Sequence, residues 1–301
     1  MGRSISRFIR AITLLGMMLS LPTWGSTVGL LVDASSDQIL AFKQQLAIQL
    51  PSDTVQVVTV SDLNSLDQAK IDKWLTLGPN ALNQLLMRFN TLSSPVLAMF
   101  LPEAARVKLS TQYSQKFTTL DNSPDMVKQL SLIRALVPQA RQVGVFHSSQ
   151  LNINKPEFNK AAKRFGLSLH WAELKDPLDW DRHALKVLAD VDLVLGVNDD
   201  ALYNTTTIRS ILMRLYRSSK ALIGPDKGYV RAGAVASTYS GIEETLLAAA
   251  SWSRGELSAD SILENPYFNV NVNTQVARSL NIVVDDPNAL IQQIKESTHE
   301  R

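Results

Sequence analysis

The chain has 301 residues, of which 45% are hydrophobic and 19% charged, and its formal net charge is +2. This composition is typical of a globular chain long enough for about two domains, and it excludes a disordered protein and a bundle of membrane helices. The chain has no cysteine, which excludes disulfides, thiolate metal sites, a cysteine nucleophile and the lipid-anchored cysteine of a bacterial lipoprotein.

The first 25 residues differ from the rest of the chain. Arg3, Arg7 and Arg10 precede an apolar run over residues 11–21, and small residues stand three positions and one position before a cleavage point after Gly25. This pattern predicts a cleaved signal peptide over residues 1–25 and a periplasmic protein. The apolar run is shorter than the ~20 residues that span a bilayer, which disfavours a membrane anchor. Without the three arginines the charge is about −1, which gives no electrostatic case for nucleic acid.

Strands and helices alternate from Thr27 onward. The apolar run over residues 27–33 predicts a buried strand, and a helical pattern that opens at Asp37 is stopped by Pro51. Pro79 suits the first turn of a second helix. Further strands are predicted over residues 55–60, 73–78, 95–101 and 116–120.

The second half repeats this alternation. Helices are predicted over residues 124–137, 156–165, 179–188 and 205–219, with strands over 143–147, 167–174, 191–197 and 221–224. Repeated strand–helix units form parallel sheets with helices on both faces. The sequence therefore predicts an α/β fold with two Rossmann-like lobes built on parallel sheets.

Small polar residues follow many of these strands. Ligands of open α/β sheets bind at the carboxyl ends of the strands, where serine hydroxyls and helix-start N–H groups can hold a carboxylate and aspartates can hold an ammonium group. Each such residue is also an ordinary turn or cap former, and an aromatic there can equally pack against the hinge. The candidate ligand-binding residues are Ser35, Ser36, Gly78, Ser148, Ser149, Asn198, Asp199, Asp200, Asp226 and Tyr229.

Catalytic patterns have little support. The chain has no HExxH pair, no G-x-S-x-G elbow and no P-loop. Only His147, of four histidines, ends a strand predicted to face the cleft, and its neighbour Ser148 should point to the opposite face of that strand. We therefore expect no catalytic residue, no metal site and no cofactor.

A basic helix pattern covers residues 205–219. Arg209, Arg214, Arg217 and the following Lys220 alternate with apolar residues. Such a pattern is typical of an amphipathic surface helix with a solvated basic face. The alternative is a docking surface for an acidic partner.

Several short segments, in order, resemble a known family. They are LIRALVP at 132–138, VGV at 143–145, ALIGPD at 221–226, GYVRAGAVAS at 228–237, FNVNVN at 268–273 and VARSLNI at 276–282. Together they resemble the ABC-transporter substrate-binding proteins that include tryptophan- and other aromatic-amino-acid-binding members. The resemblance implies the type I periplasmic binding protein fold, a clamshell with hinge crossovers.

The resemblance also implies a domain division and partners. The first lobe would hold residues 26–120 and 237–264, and the second lobe residues 121–236 and 265–301. The protein would be a monomer that captures a small polar ligand, such as an amino acid or a related compound, and delivers it to an ABC permease in the inner membrane.

One segment departs from the family pattern. After the fourth strand the family has a small-polar stretch with Asp-Pro and Gly, whereas this chain has the long charged side chains of Glu103, Arg106 and Lys108. This departure leaves open whether the cleft still binds a ligand. It also motivates an alternative function, a ligand sensor or accessory protein partnered with a membrane receptor rather than with a permease.

Overall fold

The computed structural model describes residues 25–299 apart from residues 90, 115, 152 and 179. The predicted signal peptide, up to residue 24, lies outside the described residues. Within the described part of the chain, no helix combines the length and apolar character needed to cross a membrane.

The first sheet has six strands, and all its pairings are parallel. Its strands are β1 (Thr27–Val32), β2 (Thr54–Thr59), β3 (Lys73–Leu77), β4 (Val96–Met99), β5 (Thr118–Asp121) and β11 (Ile262–Glu264). Their order across the sheet is β11-β5-β4-β3-β1-β2. The connecting helices are α1 (Asp37–Gln49), α2 (Gly78–Arg88), α3 (Glu103–Gln112) and α9 (Ile242–Ser253), with 3₁₀ turns over Val60–Asn64 and Gln68–Lys70.

The second sheet also has six strands. They are β6 (Gln142–His147), β7 (Ser168–Glu173), β8 (Leu193–Leu195), β9 (Ala221–Ile223), β10 (Ala236–Tyr239) and β12 (Asn269–Val272), in the order β12-β10-β9-β8-β6-β7. The edge strand β12 runs antiparallel to β10, and the other pairings are parallel. The helices are α4 (Met126–Leu136), α5 (Lys155–Arg164), α6 (Arg182–Asp190), α7 (Ile208–Arg217), α8 (Lys227–Ala232), α10 (Thr274–Ser279) and α11 (Pro287–His299).

The predicted α/β fold with two Rossmann-like lobes is confirmed. Strand β1 shows why the apolar runs predict it, because alternate residues contribute to the two cores on opposite faces of the sheet. Leu30 belongs to one core with Leu46 of α1, and Leu31 belongs to the other with Trp74 of β3. A strand covered on both faces has no polar side, so its sequence is continuously apolar.

Some predicted boundaries are wrong for local reasons. The helix expected from residue 179 begins at Arg182, because the carboxylate of Asp181 caps it by accepting a hydrogen bond from Ala184 N at 2.8 Å. The helix expected from residue 205 begins at Ile208, because Asn204 Oδ1 accepts from the N–H groups of Thr206 and Thr207 in a preceding turn. The expected strand over residues 191–197 is the three-residue β8.

The chain passes between the two sheets three times, after β5, after β10 and after β11. The predicted return to the first lobe at Ser237 falls inside β10, which pairs with β9 and β12, so the chain leaves the second sheet only after Tyr239. The exact lobe boundaries stay a prediction. Asn265, 3% exposed, joins two crossovers because its Nδ2 donates to Asn122 Oδ1 at 2.8 Å and its N–H donates to the Asp121 carbonyl at 3.0 Å.

Candidate functional site

A cavity of about 410 Å³ lies where the first crossover meets the carboxyl ends of strands in both sheets. Glu103 begins α3 beyond β4, and Asp121 ends β5, so both come from the first sheet. The second sheet contributes the residues that follow β8 and β9, and α4 and α5 close the sides. The polar residues that line the cavity are Glu103, Asp121, Ser123, Gln129 and Asn198.

The rest of the lining is mostly apolar. Phe158 of α5 is partly buried and packs edge-on against Trp171, with ring centroids 5.7 Å apart. Gly196 allows the ends of β8 and β9 to approach closely, since a Cβ there would lie 2.7 Å from Pro225 Cδ. The apolar lining residues are Pro124, Met126, Leu151, Ile153, Phe158, Leu195, Val197 and Pro225.

Of the ten residues predicted to bind a ligand, only Asn198 lines this cavity. Ser36 caps α1, with its Oγ accepting from Ile39 N at 3.3 Å, and Asp226 caps α8 by accepting from Gly228 N. Their hydrogen bonds are those of helix caps, which is the alternative interpretation that the sequence left open. A ligand role for these residues stays a prediction.

Asp199 is 5% exposed and joins the ends of two strands of the second sheet. Its carboxylate accepts hydrogen bonds from Ser148 N at 2.6 Å and from Ser148 Oγ at 3.0 Å. Asp199 lies in the loop after β8, and Ser148 directly follows β6. The Asp199 carbonyl also accepts from Leu202 N and Tyr203 N. The two hydrogen bonds from Ser148 connect the segment that follows β8 to the end of β6.

Tyr229 lies partly buried against Tyr203. Its hydroxyl donates to the Tyr203 carbonyl at 2.6 Å, and the two rings meet edge to face with centroids 6.2 Å apart. Burial, with the nearby carboxylates of Asp226 and Asp200, raises the pKa of Tyr229 to about 12. Burial also raises the pKa of Tyr203, whose hydroxyl donates to the Phe146 carbonyl at 3.2 Å. The structure thus shows packing contacts for Tyr229.

Four other predicted residues are close to solvent at strand ends. Ser35, Ser149 and Asp200 are exposed. Gly78 follows β3 with a φ of +87°, a left-handed conformation that favours glycine, and a Cβ at this position would meet no atom within 4 Å. That these four residues bind a ligand stays a prediction.

His147 and Ser148 are not arranged as a base and a nucleophile. His147 Nδ1 lies 2.8 Å from the Ser148 carbonyl and its Nε2 lies 2.8 Å from Lys155 Nζ. Ser148 Oγ instead donates to Asp199. A serine nucleophile needs its hydroxyl hydrogen-bonded to the base, and this hydroxyl is not.

The charged segment after β4 forms helix α3. Glu103 stands in its first turn with its side chain 86% exposed, and Arg106 lies 3.6 Å away, one turn further along. Between β4 and α3, Phe100 is 46% exposed and has a φ of +54°, a conformation that is unusual for an aromatic residue. Of the three charged residues of this segment, Glu103 lines the cavity, whereas Arg106 and Lys108 lie outside its lining.

Two of the four cations in the basic segment have internal partners. Arg214 Cζ lies 5.6 Å from the Trp180 ring centroid, and Lys220 Nζ donates to the Val191 carbonyl. Arg209 and Arg217 are exposed. The predicted amphipathic helix is present as α7, and docking of an acidic partner to it stays a prediction.

The sequence did not identify most residues that line the cavity. Asp121 follows the rule that was applied elsewhere, a polar residue at the carboxyl end of a parallel strand, and this rule could have found it. Glu103 was noted only as a departure from a family pattern. Leu151, Ile153 and Phe158 carry no sequence signal, because an apolar residue of a loop or helix looks the same whether it lines a core or a cavity.

Comparison with known proteins agrees with this architecture. A ligand-free, open substrate-binding protein with adhesive properties from Clostridium difficile is 11% identical and aligns over 87% of this chain and 96% of its own, with a TM-score of 0.61. An ABC domain from Streptococcus pneumonia in complex with L-Trp is 15% identical over 89% of this chain and 98% of its own, with a TM-score of 0.48. At 11% identity, the similarity to the Clostridium difficile protein concerns the fold alone.

A periplasmic ribose ABC transporter from Conexibacter woesei is 14% identical over 85% of this chain and 95% of its own, with a TM-score of 0.45. No curated protein sequence matches the chain. The family model described as ABC transporter substrate binding protein matches residues 84–293, more than half of the chain. The chain therefore belongs to the ABC transporter substrate binding protein family, as its sequence motifs predicted.

Proposed function

We propose that this protein is exported to the periplasm, captures a small ligand between its two lobes as a monomer, and delivers it to an ABC permease in the inner membrane without chemical conversion. The observation that carries the proposal is the cavity of about 410 Å³ at the crossovers of a chain that belongs to this family. This volume lies in the range of roughly 300–1,000 Å³ that is typical of small-molecule sites.

The position of the cavity also supports capture by closure. Its walls come from both lobes, and Asp121, Ser123 and Pro124 of the wall belong to the first crossover itself. A change in the backbone of the crossovers would change the spacing of the walls, which is the geometry of a hinge motion. The hydrogen bond from Asn265 Nδ2 to Asn122 Oδ1 joins two of these crossovers.

The N-terminal sequence pattern supports export, and the arrangement of His147 and Ser148 supports binding without catalysis. An amino acid or a related compound is the ligand class that the family resemblance favours. The ligand sensor or receptor-accessory role, motivated by the charged segment, stays the alternative prediction.

The test is a thermal-shift screen of the purified mature protein against a broad set of small metabolites. A ligand at ~100 times its Kd should stabilise the protein by about 2.7 kcal/mol. Met126→Trp, which enlarges a side chain in the cavity wall, should abolish the shift, whereas Met87→Trp, 56% exposed on α2, should retain it. Absence of any stabilising metabolite, or an equal shift in both variants, would contradict capture at this site.

Delivery to a permease needs a separate experiment. Crosslinking in intact cells, followed by mass spectrometry, should capture a membrane permease in a ligand-dependent manner. Capture of a receptor or sensor kinase without a permease would instead support the alternative function.

A further inference from the structure

We propose that the ligand is an organic cation with an apolar body and no free carboxylate, a class that includes aryl- and alkylamines. This inference rests on the proposed function, because it takes the inter-lobe cavity as the binding site. It departs from the amino acid that the family resemblance favours, because it keeps the ammonium group and omits the carboxylate.

The charged side chains that line the cavity are both carboxylates, those of Glu103 and Asp121. No lysine, arginine or histidine in the described part of the chain lines it. Asp121 Oδ1 accepts from Ser123 N at 2.8 Å, and no described residue donates to its Oδ2. This second oxygen is available to an ammonium group.

The ion pair between Glu103 and Arg106 is weak, so it would oppose binding of a cationic ligand at Glu103 only slightly. Arg106 lies 3.6 Å from a carboxylate that is 86% exposed, and pairs of this kind contribute ~0–1 kcal/mol. Arg106 itself does not line the cavity. A bound cation can therefore compete with Arg106 for Glu103.

Among the described lining residues, a ligand carboxylate would find the neutral donors of Ser123 and Asn198 but no cation. Helix N-termini normally attract anions, but the starts of the helices around the cavity already carry acceptors of their own. Glu103 stands in the first turn of α3, and Asp125 Oδ1 caps α4 by accepting from Val127 N at 2.8 Å. Asn154 caps α5, with Glu157 in its first turn. These side chains supply negative or acceptor groups where an anion would otherwise bind.

The buried amide of Gln129 is also committed to the protein. Its Nε2 donates to the Gly224 carbonyl at 2.9 Å, and its Oε1 accepts from Thr238 N at 3.2 Å. Lys155, a cation of α5, has its Nζ 2.8 Å from His147 Nε2 and 5.2 Å from the Trp171 ring centroid, and it does not line the cavity. Neither side chain is therefore placed to bind a ligand carboxylate.

The apolar walls define the other part of the ligand. Met126, Leu151, Ile153 and Phe158 line the same cavity as the two carboxylates. These side chains favour a hydrocarbon or aromatic body, and the face of a phenyl ring attracts a cation. The combination fits a molecule with an apolar body and one positive end.

The first experiment measures binding of four probes that share a phenylethyl body. They are 2-phenylethylamine, which is cationic, 2-phenylethanol, which is neutral, 3-phenylpropionate, which is anionic, and phenylalanine, which is zwitterionic. Isothermal titration with the purified mature protein should give the tightest binding for the amine, by about tenfold over the alcohol. The carboxylate and the amino acid should bind more weakly than the amine.

The second experiment uses charge-removing variants. Asp121→Asn should weaken binding of 2-phenylethylamine by about tenfold. Glu103→Gln, at a carboxylate that is 86% exposed, should weaken it by about two- to fivefold. Both variants should leave binding of 2-phenylethanol unchanged. A loss of both probes together would indicate a purely structural effect and would contradict the proposal. Glu296→Gln, an exposed position of α11 outside the cavity, is the matched control and should bind both probes like the wild type.

A screen sorted by charge separates this inference from the proposed function. The library contains equal numbers of cationic, anionic, zwitterionic and neutral metabolites, and native mass spectrometry records what the wild-type protein retains. Retention of cations supports both proposals. Retention of only anionic, zwitterionic or neutral compounds overturns the cation and leaves solute capture standing, whereas retention of nothing overturns solute capture and the inference with it.

Discussion

Replacing Asp199 by alanine should destabilise the protein rather than act only on ligand binding. The substitution removes the buried carboxylate that accepts hydrogen bonds from Ser148 N at 2.6 Å and from Ser148 Oγ at 3.0 Å. Hydrogen bonds to a charged group contribute about 1.5–3 kcal/mol each, and the two are not additive because they share one carboxylate. We expect the free energy of unfolding to fall by about 2–4 kcal/mol.

Ser148→Ala divides this effect into parts. It removes the hydroxyl bond and keeps the backbone bond, so the free energy of unfolding should fall by about 1–1.5 kcal/mol. The double variant should lose less than the sum of the two single variants, by ~1 kcal/mol, because Asp199 and Ser148 interact with each other. Asp200→Ala is the matched control, since its carboxylate is exposed and adjacent in the sequence.

Urea unfolding, followed by circular dichroism, measures these quantities. The midpoint should move while the slope with urea stays constant, since the surface exposed on unfolding is unchanged. Asp199→Ala within ~0.5 kcal/mol of the wild type, combined with a large loss of ligand affinity, would refute the reasoning. It would return Asp199 to the ligand-binding role that the sequence suggested.

Three further predictions concern the hinge, the cavity wall and pH. Asn265→Ala should lower the free energy of unfolding by about 1–3 kcal/mol because it leaves buried groups unpaired, while Asn288→Ala, exposed on α11, should leave it unchanged in the same urea assay. Gly196→Ala should cost about 1–3 kcal/mol because its Cβ would meet Pro225, and an unchanged melting temperature would show that Pro225 yields freely. The pKa of Tyr229 is raised to about 12 from 10.0, so the proton that it retains stabilises the folded state below pH 10, and this contribution is lost as the pH rises from 10 towards 12. Tyr229→Phe should flatten that decline and Tyr216→Phe, 62% exposed, should not; equal pH profiles for the two variants would contradict the assignment.

The sequence predicted the architecture because burial leaves a direct trace in it. A strand covered on both faces must be apolar throughout, and β1, β6 and β9 are recognisable for this reason. Helices such as α1 begin at a capping residue, here Ser36, and their starts can be located from that residue type. The family motifs then predicted a two-lobed clamshell, and the fold and the family are confirmed.

The site depended on information that the sequence does not contain. Glu103 begins helix α3 and Asp121 ends strand β5, both in the first lobe, whereas Phe158 belongs to helix α5 of the second lobe. Only the packing of the two lobes brings them to one cavity. Ser36, Asp199 and Asp226 are residue types that often bind ligands. In the structure, Ser36 and Asp226 accept hydrogen bonds from N–H groups of the helices that they cap, and Asp199 accepts from a residue at a neighbouring strand end. A polar side chain at a strand end has the same sequence signal in both roles, because caps and ligand contacts use the same donors and acceptors. Local patterning therefore determined the elements of this protein, and tertiary packing decided which of their side chains line the cavity.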